Sequence, residues 1–283
     1  MILAPLRGVT IRCFRRTFAD EIASAGFTEA VTPFITATPG FDPLRDRELR
    51  GGERIMTTPQ FISKDPSALR ECLERIKGAG YATADLNAGC PFPMVRNKGR
   101  GSGLLKTPET LRRLLSVGCE TMGPGRFSLK TRLGVDTPGE LLALMPLINE
   151  FPLRFLAVHA RTARQMYEGD CDLAAFRKVA AASKVPVVYN GDAPLSGASF
   201  DPPVADVMVG RPFVRSLGLR DDSTALLGRY IAATSEELSG DRPVLGRIKE
   251  LVSYWKDLPP WRRRWSLVKL ARSIEELQLA IRD

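Results

Sequence analysis

Apolar runs rich in β-branched and aromatic residues alternate with amphipathic stretches over the first ~215 residues, and this alternation limits what the chain can fold into. Eight runs read as strands: Ile2–Pro5, Ala30–Phe34, Thr58–Ile62, Ala84–Asn87, Phe127–Thr131, Phe155–His159, Val185–Tyr189 and Ala205–Val209. Helices fit between them. Ile11, Phe14, Phe18, Ile22 and Ala25 share one helical face, and Gly26 follows as a stop. Asp65-Pro66 and Thr107-Pro108 each set a capping residue before a proline, and Thr137-Pro-Gly-Glu140 adds a capping box. The predicted class is α/β, as a (β/α)8 TIM barrel. A doubly wound open sheet is the alternative, but it usually has a Gly-rich turn after its first strand, and Pro5-Leu-Arg-Gly8 matches that poorly.

Two connections depart from an even barrel. Asp42–Arg54 is polar and arginine-rich and reads as a surface excursion. Ala193–Val204 carries three prolines, so an outer helix is predicted to be lost or reduced there. From Ser235 onward the pattern is helical only. Ile248, Leu251, Val252 and Trp255 form one stripe, Pro259-Pro260 interrupts it, and Trp261-Arg-Arg-Arg-Trp265 opens another. Two domains are therefore expected: a catalytic barrel over 1–234 and a small all-helical domain over 235–283. Residues 241–283 hold ten Lys/Arg against six Asp/Glu, which gives this short tail a net charge of +4.

Five widely spaced cysteines with no Cys-x-x-Cys, and a single histidine, argue against a disulfide framework and against a metal site. No apolar run approaches the ~18 residues of a membrane span, and the N-terminus lacks the character of a signal peptide. A cytoplasmic chain without membrane contact is the expectation. The net charge of +9 suits a polyanionic partner.

In a barrel, catalytic groups sit at the C-terminal ends of strands. Those ends carry Pro5, Gln60, Asn87 with Cys90 just beyond, Lys130 with Arg132, His159 with Arg161, Asn190-Gly-Asp192 and Gly210-Arg211. Each has a plain alternative: a loop amide, a solvated pair of cations, a hydrogen-bonded core histidine, a turn, a helix start. Their joint position favours a site. Backbone N–H groups of Gly191 and Gly210 with the Arg211 guanidinium suit a phosphate monoester, and Lys130 could set a cation beside an electron-accepting ring. Flavin mononucleotide (FMN) is the natural candidate, with phosphosugar chemistry still open.

These residues resemble the tRNA-dihydrouridine synthase family. The likeness runs through Leu3-Ala-Pro-Leu-Arg-Gly-Val-Thr10, Gln60, Leu86-Asn-Ala-Gly-Cys-Pro91, Leu129-Lys-Thr-Arg-Leu-Gly134, Val158-His-Ala-Arg-Thr-Ala-Arg-Gln-Met-Tyr-Glu-Gly169, Asn190-Gly-Asp192 and Val207-Met-Val-Gly-Arg211. The resemblance implies FMN-dependent reduction of a tRNA D-loop uridine with NADPH as reductant. By the same resemblance Pro5, Leu6, Arg7, Gln60, Lys130 and His159 line the flavin, and Asn190, Gly191, Asp192, Gly210 and Arg211 hold its phosphate end. It makes Cys90 the acid that protonates uracil C5. Asn87 and Arg132 would face flavin or base, and the glycines after Cys90 would let its loop close over an inserted base. Arg96, Lys98 and Arg100, with Arg247, Lys249, Arg262, Arg263 and Arg264 of the tail, would meet tRNA phosphates. Gly246-Arg-Ile-Lys249 is similar to the C-type bacterial members, which act on position 16. A monomer is expected, with tRNA over the open face. Arg7 stands where the family usually has a small or acidic residue, Ala160 replaces a glycine, and Pro212 removes a backbone N–H beside the phosphate site. A flavin barrel for a free pyrimidine and an inactive tRNA-binding relative are the competing functions.

Overall fold

The computed structural model describes residues 1–195, 200 and 203–282. Its strands, in chain order, are β1 (Ile2–Leu3), β2 (Glu29–Val31), β3 (Ile35–Thr36), β4 (Met56–Thr58), β5 (Gln60–Ile62), β6 (Ala84–Ala88), β7 (Phe127–Gly134), β8 (Leu156–Thr162), β9 (Val187–Asn190) and β10 (Asp206–Val209). All pairings are parallel. The ten segments make eight barrel positions, because β2 and β3 are one strand interrupted around Pro33, and β4 and β5 are one strand interrupted at Pro59. Proline cannot donate to a ladder, so both strands break: the predicted Ala30–Phe34 overlaps β2 and stops short of β3, and Thr58–Ile62 takes in the end of β4 and all of β5. Since β2 pairs β4 while β3 pairs β5, and β10 pairs β1, the ring closes.

The helices as far as Glu237 are α1 (Arg12–Thr17), α2 (Ala19–Ser24), α3 (Pro66–Gly78), α4 (Pro93–Arg96, a single turn in the loop after β6), α5 (Pro108–Met122), α6 (Gly139–Ile148), α7 (Leu173–Ala182), α8 (Arg211–Leu217) and α9 (Ser223–Glu237). The helix expected over Ile11–Ala25 breaks at Phe18, and Gly26 stops it at φ +81°. Asp65 caps α3 through the amides of Ser67 and Ala68, as its sequence predicts. Thr107 makes no such cap, because its hydroxyl turns back to the Leu104 carbonyl. Half of the predicted capping box forms: the Glu140 carboxylate accepts from the Thr137 amide at 3.0 Å. Residues 196–199, 201 and 202 of the connection 193–204, where an outer helix was expected to be lost or reduced, lie outside the described residues.

The Asp42–Arg54 excursion is tied down from below by the fully buried Arg15, whose guanidinium meets Glu48 at 2.8 Å and Glu53 at 2.6 Å. Within the barrel, Ile2, Ala4, Val31, Phe155, Ala157, Val188 and Met208 form a small apolar plug. Glu29, bonded by both Arg154 nitrogens (2.6 and 2.7 Å) and by Thr58, adds a buried ion pair to the interior. Nearer the C-terminal strand ends the interior turns polar.

The tail forms α10 (Asp241–Ser253), α11 (Trp261–Leu270) and α12 (Ile274–Arg282). The expected boundary at 234/235 falls inside α9, because α9 serves as an outer helix against α1, with Tyr230 on Phe14 and Phe18. Trp255 and Trp261 are fully buried, 4.8 Å apart, and donate to the carbonyls of Val214 (2.7 Å) and Gly218 (3.1 Å). Tail and barrel thus share one apolar cluster. Among the described residues no helix is long and apolar enough to cross a membrane.

Candidate active site

A cleft of about 720 Å³, including its open mouth, lies at the C-terminal ends of the strands. Parallel register brings the polar side chains together: Gln60 lies beside Asp85 and Asp85 beside Ser128, with Asn87 beside Lys130 in the next layer. Arg132 lies beside His159, and His159 beside Asn190.

Pro5, Leu6, Arg7, Gln60, Asn87, Cys90, Lys130, Arg132, His159, Asn190, Gly191, Gly210 and Arg211 all line this cleft. Asp192 does not. Its carboxylate pairs with Arg161 and, at 2.5 Å, with Arg211 (both pairs hold it below the usual carboxylate range), so it aims the guanidinium rather than meeting a phosphate. Asn190 is likewise engaged, accepting from Lys130 at 2.9 Å and donating to the Met208 carbonyl at 2.7 Å. Two glycines have steric reasons: a Cβ on Gly191 would fall 2.7 Å from the Cys171 sulfur, and one on Gly210 would fall 3.0 Å from the Ala4 Cβ. Pro212 sits in the first turn of α8, where an amide has no helical partner, so the missing N–H costs the helix nothing. Arg7 lies exposed at the rim, 5.1 Å over the Phe34 ring.

The resemblance sets Arg132 toward a ligand, but most of its donors tie loops together. It bonds the carbonyls of Gly89 (2.9 Å), Thr162 (2.9 Å) and Met166 (2.6 Å). Asn87 carries the same expectation, yet its carbonyl accepts from the amides of Gly89 and Cys90. The Cys90 loop is also built differently from a flexible lid. Ser102 returns beneath it to bond the Cys90 carbonyl, and Gly101 and Gly103 permit close approach, since their Cβ atoms would lie 2.9 Å from Cys90 Cβ and 2.5 Å from the Arg96 carbonyl.

The electrostatics are one-sided. Arg7, Lys130, Arg132 and Arg211 line the cleft, and no carboxylate does among the described lining residues. Burial, and after it Arg132, pulls the Lys130 ammonium down to about 8. His159 is held far below its ordinary value by burial and by Arg132, Lys130, Arg161 and Arg211, so it is neutral at physiological pH. Arginine only donates, so the 3.3 Å contact from Arg161 makes Nε2 of His159 the acceptor and leaves its proton on Nδ1. Burial raises the Cys90 thiol above its ordinary range, against the Phe92 amide and the Arg7, Arg132 and Lys130 charges, so it stays protonated at neutral pH.

Sequence reasoning gave no role to Tyr167, Phe34 or Phe92, which line the cleft, nor to Asp85 behind it; Arg161, read there as a strand-end residue beside His159, lies buried behind the lining. Tyr167 carries Arg132 and Arg211 on its ring at 5.2 and 5.1 Å. It stands within the Val158–Gly169 block, which was the available signal. Arg96, Lys98 and Arg100 sit on the loop outside the lining, and the tail cations lie on α10 and α11.

A family described as dihydrouridine synthase matches residues 2–215. The chain belongs to that family. Among its relatives, the "tRNA-dihydrouridine(16) synthase" of Cupriavidus necator is 31% identical over 90% of this chain and 88% of its own length. The "tRNA-dihydrouridine synthase B" of Vibrio cholerae is 30% identical over 68% of this chain, and the match spans 59% of that relative's length. Solved structures of similar shape include a morphinone reductase (TM-score 0.56, 13% identity, 76% of this chain and 82% of that one). An old yellow enzyme homologue from Zymomonas mobilis matches at TM-score 0.53 with 11% identity, over 76% of this chain and 85% of that one. They show the barrel fold.

Lys130 makes the charge of the cleft sensitive to pH. With its ammonium pulled down to about 8, affinity for an anionic ligand that it contacts, FMN being the expected one, should fall as pH rises from about 7 to 9. Lys130→Met should weaken FMN by about 10- to 100-fold at neutral pH, the worth of a charged hydrogen bond, and flatten that pH dependence. Fluorescence titration with FMN measures both.

Proposed function

We propose that this chain reduces a uridine of tRNA to 5,6-dihydrouridine, using bound FMN and NADPH as the electron source. The observation that carries this reading is a buried thiol, Cys90, in the same cleft as cationic and amide donors, with no carboxylate among the described lining residues. FMN fits those residues. Gln60, Lys130 and His159 offer donors to a ring system, Pro5 and Leu6 an apolar wall, and Arg211 with the Gly191 and Gly210 amides a phosphate seat. When bound, the flavin supplies the hydride that adds to uracil C6.

The protein's own part is positioning and one proton. Cys90 gives its Sγ proton to C5, which suits a group protonated at neutral pH. The base must leave its stack to reach the cleft, so a flipped or unpaired uridine is the substrate. Exposed Phe92 and Met94 beside Arg96, Lys98 and Arg100 give the Cys90 loop both apolar and cationic surface toward an RNA strand. The barrel through α9 acts as the catalytic part and α10–α12 as a tRNA contact, in a monomer working where tRNA is modified, in the cytoplasm. Likeness over 90% of the chain to a relative named for position 16 supports that position.

The test is mass spectrometry of tRNA lacking dihydrouridine after incubation with the protein, FMN and NADPH, with fragment mapping of the site. Dihydrouridine at position 16 is expected. An FMN-loaded chain that binds tRNA and yields none would move the reading to a free pyrimidine or to a binding role.

The tail can be tested separately. Arg264 bonds Thr224 at 3.0 Å and lies over the Trp261 ring, and Lys249 bonds the Ala271 carbonyl at 2.5 Å, so both knit the tail. Arg262 and Arg263 are exposed. Replacing both with alanine should lower the slope of log affinity for tRNA against log salt by about 0.7–0.9 for every phosphate no longer neutralised, with kcat unchanged.

A further inference from the structure

Asp85 sits on β6 below the cleft, fully buried, and no role in the proposed chemistry falls to it. It belongs to a chain of side-chain hydrogen bonds that ends at the Cys90 backbone. Ser128 Oγ meets Asp85 Oδ1 at 2.6 Å, and Gln60 Nε2 meets Asp85 Oδ2 at 2.7 Å. Asn87 Nδ2 meets Gln60 Oε1 at 2.8 Å, and the amides of Gly89 and Cys90 meet Asn87 Oδ1 at 3.1 and 2.8 Å.

The direction of every bond follows from the end where chemistry leaves no choice. Backbone N–H groups only donate, so the Asn87 atom they share must be its carbonyl oxygen. The Asn87 NH2 must then face Gln60, which has to offer its own carbonyl. The Gln60 NH2 in turn faces Asp85, which has to accept. An apolar residue at 85 would let the Gln60 amide rotate, bring two NH2 groups face to face, and remove the constraint on the turn that carries Cys90.

We propose that Asp85 is a positioning residue whose acceptor oxygen sets the amide orientation of Gln60 and Asn87 and, through them, the Cys90 turn. This deepens the reading above, since it concerns the site assigned there, but its geometry does not depend on tRNA. Acceptor polarity is what matters, not charge. Asn at position 85 can give its carbonyl to Gln60 and its NH2 to Ser128, whose hydroxyl then donates to the Ala84 carbonyl, already 3.3 Å away. Gln60 and Asn87 each keep one further N–H, and both line the cleft.

The experiment compares Asp85→Asn, Asp85→Leu and Gln60→Met in the full chain. FMN affinity is read by fluorescence titration, and Cys90 alkylation by iodoacetamide at about pH 8, under saturating FMN, on the Cys90 peptide. Asp85→Leu should weaken FMN at least tenfold and speed Cys90 alkylation at least threefold, while Asp85→Asn restores both to within threefold of the parent. Gln60→Met, which cuts the chain one link higher, should speed alkylation as Asp85→Leu does, and it decides the matter if Asp85→Leu fails to fold. Parental alkylation in the broken variants would overturn the proposal, as would Asp85→Asn behaving like Asp85→Leu. Absence of tRNA reduction in the parent, with these results intact, would overturn the tRNA reading alone.

Discussion

Cys90→Ala should lower dihydrouridine formation by about 10²–10⁴-fold, the span of a positioned general acid, while FMN content and tRNA affinity stay at the parental level. The separation is expected because the Cys90 turn is held by backbone bonds, from its own amide to Asn87 and from Ser102 to its carbonyl, and not by its sulfur. Alanine keeps those bonds and removes only the acidic proton. The pH profile gives a second check. A thiol raised by burial keeps its proton beyond the ordinary ~8.5, so its loss as an acid should appear only above that value. Lys130, pulled down to about 8, titrates below it, so Lys130→Met should unmask the thiol's own alkaline limb. Single-turnover reduction of tRNA followed by mass spectrometry reads both. Parental turnover in Cys90→Ala would remove the thiol from the mechanism.

Trp255→Ala should destabilise the whole chain by about 3–5 kcal/mol, the cost of emptying a large aromatic site. The indole is fully buried, lies tilted against Trp261 with ring centres 4.8 Å apart and donates to the Val214 carbonyl at 2.7 Å. Gly218 leaves room for it, since a Cβ there would lie 2.4 Å from the ring. Because the tail shares the barrel's apolar cluster, denaturant unfolding followed by circular dichroism should show one transition shifted to lower denaturant. A separate early transition, with the barrel's midpoint unchanged, would mean that 235–283 folds by itself.

The barrel was legible because it follows from local chemistry. Alternating runs of β-branched and helix-forming residues, caps such as Asp65 and stops such as Gly26 act within a few residues of themselves. So was the gathering of Cys90, Lys130, His159 and Arg211, because parallel strands deliver their ends to one face. The breaks at Pro33 and Pro59 could have been read from the missing N–H alone.

Side-chain engagement was not legible where it depends on how the chain folds back on itself. Arg132 and Asn87 line the cleft as expected, yet much of their bonding capacity is taken, by the carbonyls of Gly89, Thr162 and Met166 and by the amides of the Cys90 turn. Asp192 read as a phosphate neighbour and instead holds two arginines. Glycines 101 and 103 read as hinges and instead allow close approach of backbone.

By itself the sequence determined the strand–helix order, the excess of positive charge and which residues could do chemistry, since each depends on residue type and near neighbours. Which of those residues keep a free hydrogen-bonding group for a ligand was decided only by tertiary structure. That choice rests on cross-strand register: aligning Gln60 with Asp85 and Asp85 with Ser128 consumes some donors, orients others, and turns a buried aspartate that looked like part of a strand into the anchor of the site.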